Sequence, residues 1–271
     1  MNIITIPTGG LCNRMRAMAS ALSIAKQLHT STTVYWNKYE GLNASYGQLF
    51  MPLEHTDSIK VADNHRWLYN VNYTKDYLLR LPAYKILFSQ TVYNYNIYER
   101  HTDLTGQLHA KPGQKILLIS GHPMCADYAS QLSAIFKPQA DIQARIDAVS
   151  SQFSCYTIGM HIRRTDNKAS IALSPLQKFV DIIQREIALN SQTKIYLASD
   201  DAEVKAEMQR RFGDHIITLH DDASRNSLEG MKFAVVDLYC LSKTRRIIGS
   251  TASSYSQLAA DLGQIEIEYA K

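Results

Sequence analysis

Gly159-Met160-His161-Ile162-Arg163-Arg164-Thr165-Asp166 is the stretch on which the reading of this chain turns. It continues an apolar run, Cys155-Tyr156-Thr157-Ile158, that predicts a buried strand. The apolar character stops at Ile162, and two arginines and an aspartate follow at once. In an open α/β sheet the C-terminal end of a strand faces the crevice where ligands bind. Guanidinium is always charged and offers a flat fork of donors that suits phosphate oxygens. Asp166 is placed to neutralise and orient one of the pair. Taken alone, the same residues also describe a surface arginine pair held by one aspartate, so the flanks decide.

Downstream, strands and helices alternate regularly. After a loop, Ser174-Pro175 predicts a helix start, with Ser at the N-cap and Pro at the first helical position. Phe179, Ile182, Ile183 and Ile187 form its apolar face. A strand at 194–198, a helix at 202–212, a strand at 215–219, a long helix at 228–241, a strand at 246–249 and a last helix to about 262 follow. The tail Ile265-Glu266-Ile267-Glu268-Tyr269 alternates like an exposed or edge strand. Short connections between alternating elements call for a parallel sheet covered on both faces.

The first half is a looser version of the same plan. Ile3 to Ile6 predicts a buried strand, Pro7-Thr8-Gly9-Gly10 a turn, and Leu11 to Leu28 a helix. That unit opens a Rossmann-like fold without the full G-x-G-x-x-G spacing. Asn13 and Arg14 fall in the first helical turn, beside free backbone N–H groups and the positive end of the dipole. Asn13 is either a ligand contact there or the cap of a helix that starts late. Strands are expected at 32–36 and 115–120. His122, in the turn after the second of these, is a catalytic candidate or a plain turn residue. Residues 61–110 show no clean period, and seven tyrosines lie from Tyr69 to Tyr98. That region forms either an acceptor-side wall or an irregular subdomain. A helix over 138–151 places the domain change near Lys137-Pro138, giving domains 1–137 and 138–271. The expected fold is α/β, with two Rossmann-like domains facing across a cleft.

Composition bounds the function. The 271 residues are 45% hydrophobic and 20% charged, with a net charge of +4. That balance is globular, and its mild basicity favours a small anionic ligand over nucleic acid. The four cysteines, Cys12, Cys125, Cys155 and Cys240, are dispersed and read as buried thiols in a reducing compartment. No signal-peptide pattern opens the chain and no apolar run reaches the ~20 residues of a membrane span. The expectation is a cytoplasmic protein, with a peripheral membrane contact left open.

The strand ends supply the chemistry. One gives Arg163, Arg164 and Asp166. The next gives Ser199, Asp200 and Asp201. The last gives Ser250, Thr251, Ser253 and Ser254, running into a helix N-terminus. In a parallel sheet these ends share one side, and arginines, hydroxyls and a helix N-terminus together make an anion site suited to phosphate. Asp237 lies in an otherwise apolar helical stretch, so it pairs with a buried donor, reads a ligand's N–H groups, or bridges to Arg163 or Arg164. Asp200-Asp201 invites a metal. A metal is not the first choice, because Asp200 can cap helix 202–212 and the arginines already balance a diphosphate.

His161-Ile162-Arg163-Arg164-Thr165-Asp166 resembles the H-x-R-R-x-D motif of the inverting fucosyltransferases that act with GDP-fucose, both the α-1,2 and the α-1,6 groups. Gly9-Gly10-Leu11-Cys12-Asn13-Arg14-Met15 resembles the G-G-L-G-N-Q motif of the α-1,2 group. Leu197-Ala198-Ser199-Asp200-Asp201, then 237–242, then 247–256 resemble later motifs in the same order, so the resemblance spans nearly the whole chain. It implies the two-domain GT-B fold, a nucleotide-sugar donor (GDP-fucose), a glycan acceptor, and no metal or other cofactor. It implies that Arg163 binds the diphosphate and supports its departure, with Arg164 and Asp166 shaping that site. His161 and Asp237 would lie near the guanine, Ser250 with Ser253 or Ser254 on phosphate oxygens, and Asn13 near the donor sugar. Two departures, Arg14 for Gln and Tyr255-Ser256-Gln257 for a Trp-Trp-like segment, bear on acceptor, linkage and sugar. Transferases using another nucleotide sugar, and a non-catalytic nucleotide or glycan binder, are the alternative readings.

Overall fold

Ile3, Ile4 and Ile6 are buried on alternate faces of one strand, and that double burial sets the architecture of the first half. A strand apolar on both faces is the mark of a parallel sheet sandwiched between helices. The computed structural model describes residues 1–53, 57–62, 66–94, 103–108, 111 and 113–271. The chain divides into two compact units, Met1–Gln139 with Arg225–Leu228, and Ala140–Ser224 with Glu229–Lys271.

The first unit contains β1 (Asn2–Pro7), α1 (Leu11–Gln27), β2 (Thr32–Tyr35), α2 (Tyr46–Leu49), β3 (Ile59–Ala62), α3 (Thr74–Leu87), β4 (Gln90–Asn94), β5 (Lys115–Ser120) and α4 (Leu132–Ile135). Its parallel sheet has the order β3-β2-β1-β5-β4. Ile3, Ile116 and Leu118 pack with Ala21, Ile24 and Ala25 of α1 on one face. Ile4, Ile6, Leu117 and Ile119 pack with Tyr84 and Phe88 on the other.

The second unit contains α5 (Ala140–Ser150), β6 (Thr157–Ile162), α6 (Lys168–Leu173), α7 (Leu176–Leu189), β7 (Lys194–Ser199), α8 (Ala202–Phe212), β8 (Ile216–Thr218), α9 (Leu228–Ser242), β9 (Ile247–Gly249), α10 (Ser254–Gly263) and β10 (Ile267–Tyr269). Its parallel sheet runs β10-β9-β6-β7-β8, so the alternating tail is indeed an edge strand. Ile158, Met160 and Ile162 face Phe179 and Ile183 of α7 and Met208 of α8. Gly159 and His161 face the other way. A Cβ on Gly159 would stand 2.6 Å from Thr244 Oγ1, and one on Gly249 would stand 2.6 Å from Ser256 Cβ. Those two glycines let the α9–β9 turn and α10 press directly on the sheet.

Several expectations are corrected. Residues 61–110 hold α3 and β4, hidden because Pro82 sits inside the helix and apolar residues lie on both of its sides. The part of that stretch bearing Tyr95 and Tyr98 lies outside the described residues. The loop before Ser174 contains α6, capped by Asn167, whose side chain accepts from Ser170 N at 3.0 Å. Ser174 ends that helix, and Pro175, not Ser174, is the N-cap of α7. Strand β6 starts at Thr157, so Cys155 is exposed on the preceding turn, while Cys12, Cys125 and Cys240 are buried. Among the described residues no helix is long and apolar enough to cross a membrane.

Candidate functional site

In the second unit the chain runs β6, β7, β8 to one side and then returns to β9 and β10 on the other. The direction of winding therefore switches between β6 and β9. The crevice beyond such a switch is where open α/β sheets place ligands. Two loops meet there: 163–167 after β6 and 250–253 after β9.

Their junction is built from side chains of the flanking strands. Ser250 Oγ accepts from Arg163 N at 3.0 Å and donates to His161 O at 3.2 Å. From the opposite side, Ser199 Oγ donates to Ile162 O at 2.8 Å and accepts from Asp201 N at 3.2 Å. The last two residues of β6 are thus pinned on both edges, and Arg163 leaves the sheet in a fixed direction. Both serine side chains are interior, and their hydroxyls bond to backbone.

Asp200 organises the loop. It accepts from Arg164 N at 2.8 Å and from Thr165 Oγ1 at 2.7 Å, and its Oδ2 lies 3.1 Å from Arg163 Nε. It does not cap α8. Asp201 does, accepting from Glu203 N and Val204 N, because only the second aspartate falls at the N-cap position. Arg163 also pairs through Nη2 with Asp166, whose side chain is half exposed. Arg164 turns inward: its guanidinium donates to Arg163 O at 3.1 Å and to Ser174 O at 2.9 Å.

The β9 side is tied to the same loop. Ser174 Oγ accepts from Thr251 N at 2.9 Å, and Asn167 Nδ2 donates to Ala252 O at 3.1 Å. Ala252 holds a left-handed backbone, φ 58°, a conformation that costs a non-glycine residue about 1–2 kcal/mol. Ser253 is the N-cap of α10 but makes no side-chain cap bond, and both Ser253 and Ser254 are half-buried. Arg163 on one loop, and the two hydroxyls with the first N–H groups of α10 on the other, are groups suited to an anion, and they make up the candidate rim. Asn167 was missed from the sequence, although its place directly before a run of helix formers was the available signal; Thr251 was named among the strand-end groups, and Ser174 was assigned to a helix cap and not to this loop.

His161 and Asp237 lie beneath that rim. The His161 ring is 3% exposed, bonds Ser256 Oγ through Nδ1 at 2.7 Å, and packs on Tyr255 at 4.8 Å between centroids. Burial, reinforced by the Arg163 charge, pushes its pKa down to about 3, so the ring is neutral. Asp237 is bonded by the Tyr196 hydroxyl and makes no ion pair to Arg163 or Arg164. It sits almost one helical turn beyond Ala234, whose carbonyl accepts from Tyr255 OH at 2.6 Å. Burial raises its pKa to about 6.

In the first unit the corresponding switch lies between β1 and β5. Helix α1 begins at Leu11 with Gly10 as N-cap, so Asn13 is not a late cap; its Oδ1 accepts from Arg16 at 2.8 Å. Arg14 is fully buried. It donates to Gly9 O and Asn37 O, both at 2.7 Å, and to Asn72 Oδ1 at 3.1 Å, and lies 4.9 Å from the Tyr39 ring. It thereby ties the β1 turn to the loop after β2. His122 sits in a turn closed by Ser120 Oγ, which accepts from His122 N at 3.0 Å. Among the described residues no cluster of three or more His, Cys, Asp or Glu side chains is placed to hold a metal ion.

No protein-family model matches the sequence, and no curated protein matches it. Solved structures do. NodZ α-1,6-fucosyltransferase soaked with GDP-fucose superposes with a TM-score of 0.66 at 19% identity, over 96% of this chain and 92% of that one. POFUT1 in complex with GDP gives 0.58 at 11%, over 99% and 97%. A mutant of Arabidopsis thaliana FUT1 in complex with GDP gives 0.58 at 11%, over 99% of this chain and 69% of that one. The chain has the α/β fold of these GT-B fucosyltransferases, with two parallel five-stranded sheets and interleaved helices.

Proposed function

We propose that the protein is a glycosyltransferase that moves fucose from GDP-fucose to a glycan hydroxyl, with inversion and without a metal. The observation that carries this reading is the pinned exit of Arg163 beside the N-terminus of α10, at the β6–β9 switch. The fold supports it, since solved proteins of this shape include fucosyltransferases described with GDP or GDP-fucose. The diphosphate occupies the rim, and Arg163 Nη2 passes from the exposed Asp166 to a phosphate oxygen. The acceptor oxygen bonds to the anomeric carbon as the bond to the β-phosphate oxygen breaks. The electron pair leaves with GDP, and the acceptor's proton goes to a base or to water. Negative charge grows on the leaving oxygens, where a fixed guanidinium and oriented N–H groups act without reorganising. With its oxygens engaged by Arg163, Arg164 and Thr165, Asp200 is a positioning group in this scheme and not the acceptor's base.

Asp237, the residue expected to read guanine N–H groups, is 5% exposed and bonded to Tyr196. That observation favours testing a second reading, a transferase of the same fold with another nucleotide sugar. Titrating GDP-, UDP- and ADP-sugars in a thermal-shift assay separates the two, because a ligand at 100 times its Kd adds about 2.7 kcal/mol. Calorimetry of GDP-fucose with and without a chelator tests donor and metal independence together. Stabilisation by UDP- or ADP-sugar alone would replace the donor. Heat that vanishes with chelator would overturn the metal-free scheme.

A further inference from the structure

Helix α3 buries the side that carries Arg80 and Tyr84 and leaves the other side bare. Leu78, Leu79 and Ile86 are 58%, 66% and 84% exposed, and Pro82 between them is exposed as well. Positions 78, 79, 82 and 86 recur at helical spacing, so these residues share one face. Lys75 and Lys85 stand exposed at its two ends. The one acidic residue of the helix, Asp76, is turned to its own N-terminus, where Oδ2 accepts from Asn72 N and Tyr73 N at 3.0 and 2.9 Å. The helix therefore presents an apolar stripe between two cations, with no carboxylate of its own on that face.

We infer that this face docks on an anionic lipid bilayer. An apolar strip flanked by lysines is how an amphipathic helix lies in a membrane interface, the long lysine stems carrying their ammonium groups to the headgroups. Trp67, 55% exposed, is tethered to the same helix through Arg80, whose Nε donates to Trp67 O at 2.7 Å; tryptophan is enriched at such interfaces. Charge agrees. Residues 1–139 carry 13 Lys and Arg against 8 Asp and Glu, whereas residues 140–271 carry 16 against 17, so the whole positive excess lies in the part that holds α3. A second copy of the chain fits less well. A self-complementary contact through this helix would bring lysine toward lysine. One helix face about 20 Å long and 10 Å wide offers roughly 200 Å², against about 800 Å² per partner in a stable dimer.

The test is flotation of the full chain with vesicles of phosphatidylcholine alone and of phosphatidylcholine mixed with phosphatidylglycerol. Two lysines at about 1 kcal/mol each should raise partitioning roughly 30-fold on the anionic vesicles. Leu79→Glu with Ile86→Glu should lower it at least about tenfold while the melting temperature holds, since both positions are exposed. Lys75→Glu with Lys85→Glu should remove the preference for anionic lipid and keep the fold. Equal partitioning of the wild type to both vesicles, or unchanged binding of the Leu79/Ile86 variant, overturns the inference. So does a dimer in sedimentation that this variant dissociates while the wild type ignores vesicles, which would assign the face to a second copy.

Discussion

Two buried groups of the second unit titrate against each other, and separating them tests the site's interior. His161 is held neutral by burial and by Arg163, with a pKa of about 3 against 6.5 for the free side chain. The unfolded chain takes up that proton below pH 6.5, so the folded state loses stability as pH falls through 6.5 toward 3. Asp237 runs the other way. Burial raises its pKa from 3.8 to about 6, partly opposed by Lys205 and Tyr196. It is protonated in the folded protein below about 6 and in the unfolded chain only below 3.8, so falling pH adds stability across that window. At pH 5 the histidine costs roughly 2 kcal/mol and the aspartate returns roughly 1 kcal/mol. The wild type should hide both. In His161→Gln the stability deficit relative to wild type should shrink by about 2 kcal/mol between pH 7.5 and pH 5. In Asp237→Asn the stability of the variant relative to wild type should fall by about 1 kcal/mol over the same interval. Hydrogen exchange of β6 amides reads the second unit directly. A His161→Gln difference that is the same at both pH values would refute the buried, neutral histidine and with it the packing described under the rim.

The remaining predictions concern the rim itself. Arg163→Ala should cut transfer by about 10²–10³, the usual loss for one aimed donor, with the melting transition still cooperative; turnover at the wild-type rate would remove the leading catalytic assignment. Asp200→Asn leaves shape and removes charge from a group that takes three hydrogen bonds and one ion pair. It should cost about 1.5–3 kcal/mol in denaturant unfolding and reduce transfer more than it weakens nucleotide binding. Gly159→Ala drives a Cβ to 2.6 Å from Thr244 Oγ1 and should cost about 1–3 kcal/mol, whereas Gly47→Ala, with open space around it, should be nearly neutral by the same measurement.

Much of this was legible in the sequence, and the reasons differ by element. The strands and long helices of the second unit were legible because its strands are short apolar runs that end abruptly in Arg163, Ser199 and Ser250, whereas the short α6 was not. Strand β3 and helix α3 were not legible. Strand β3 has only four residues and one buried side chain, and α3 has Pro82 inside it and leucines on its outer side, so neither shows the contrast that periodicity detects. Within the site, the pairing of loops was foreseeable, but the division of labour was not. Ser199, Ser250, Asp237 and Arg14 are the right residue types for ligand contact, yet their side chains bond inside the protein. A hydroxyl at a strand end has two demands on it, the neighbouring strand's last carbonyl and the ligand, and only coordinates show which one it meets.

That division of labour bears on how such a rim could work. A lone guanidinium on a mobile loop would spend binding energy on its own ordering when a diphosphate arrives. Here the ordering precedes the ligand: Ser199 and Ser250 fix the last carbonyls of β6, Asp200 accepts from Arg164 N and from both the amide and the hydroxyl of Thr165, and Ser174 and Asn167 fix the opposite loop. The left-handed Ala252 is tolerated inside that frame, strain of the kind that survives only where its surroundings over-determine it. What stays adjustable is the contact between Arg163 and the half-exposed Asp166, a pairing that solvent screens and an incoming phosphate can replace. Electrostatic stabilisation of a leaving group depends on donors already aimed before charge develops. The serines inside the sheet therefore belong to the proposed chemistry through Arg163's direction and not through contact with the sugar nucleotide.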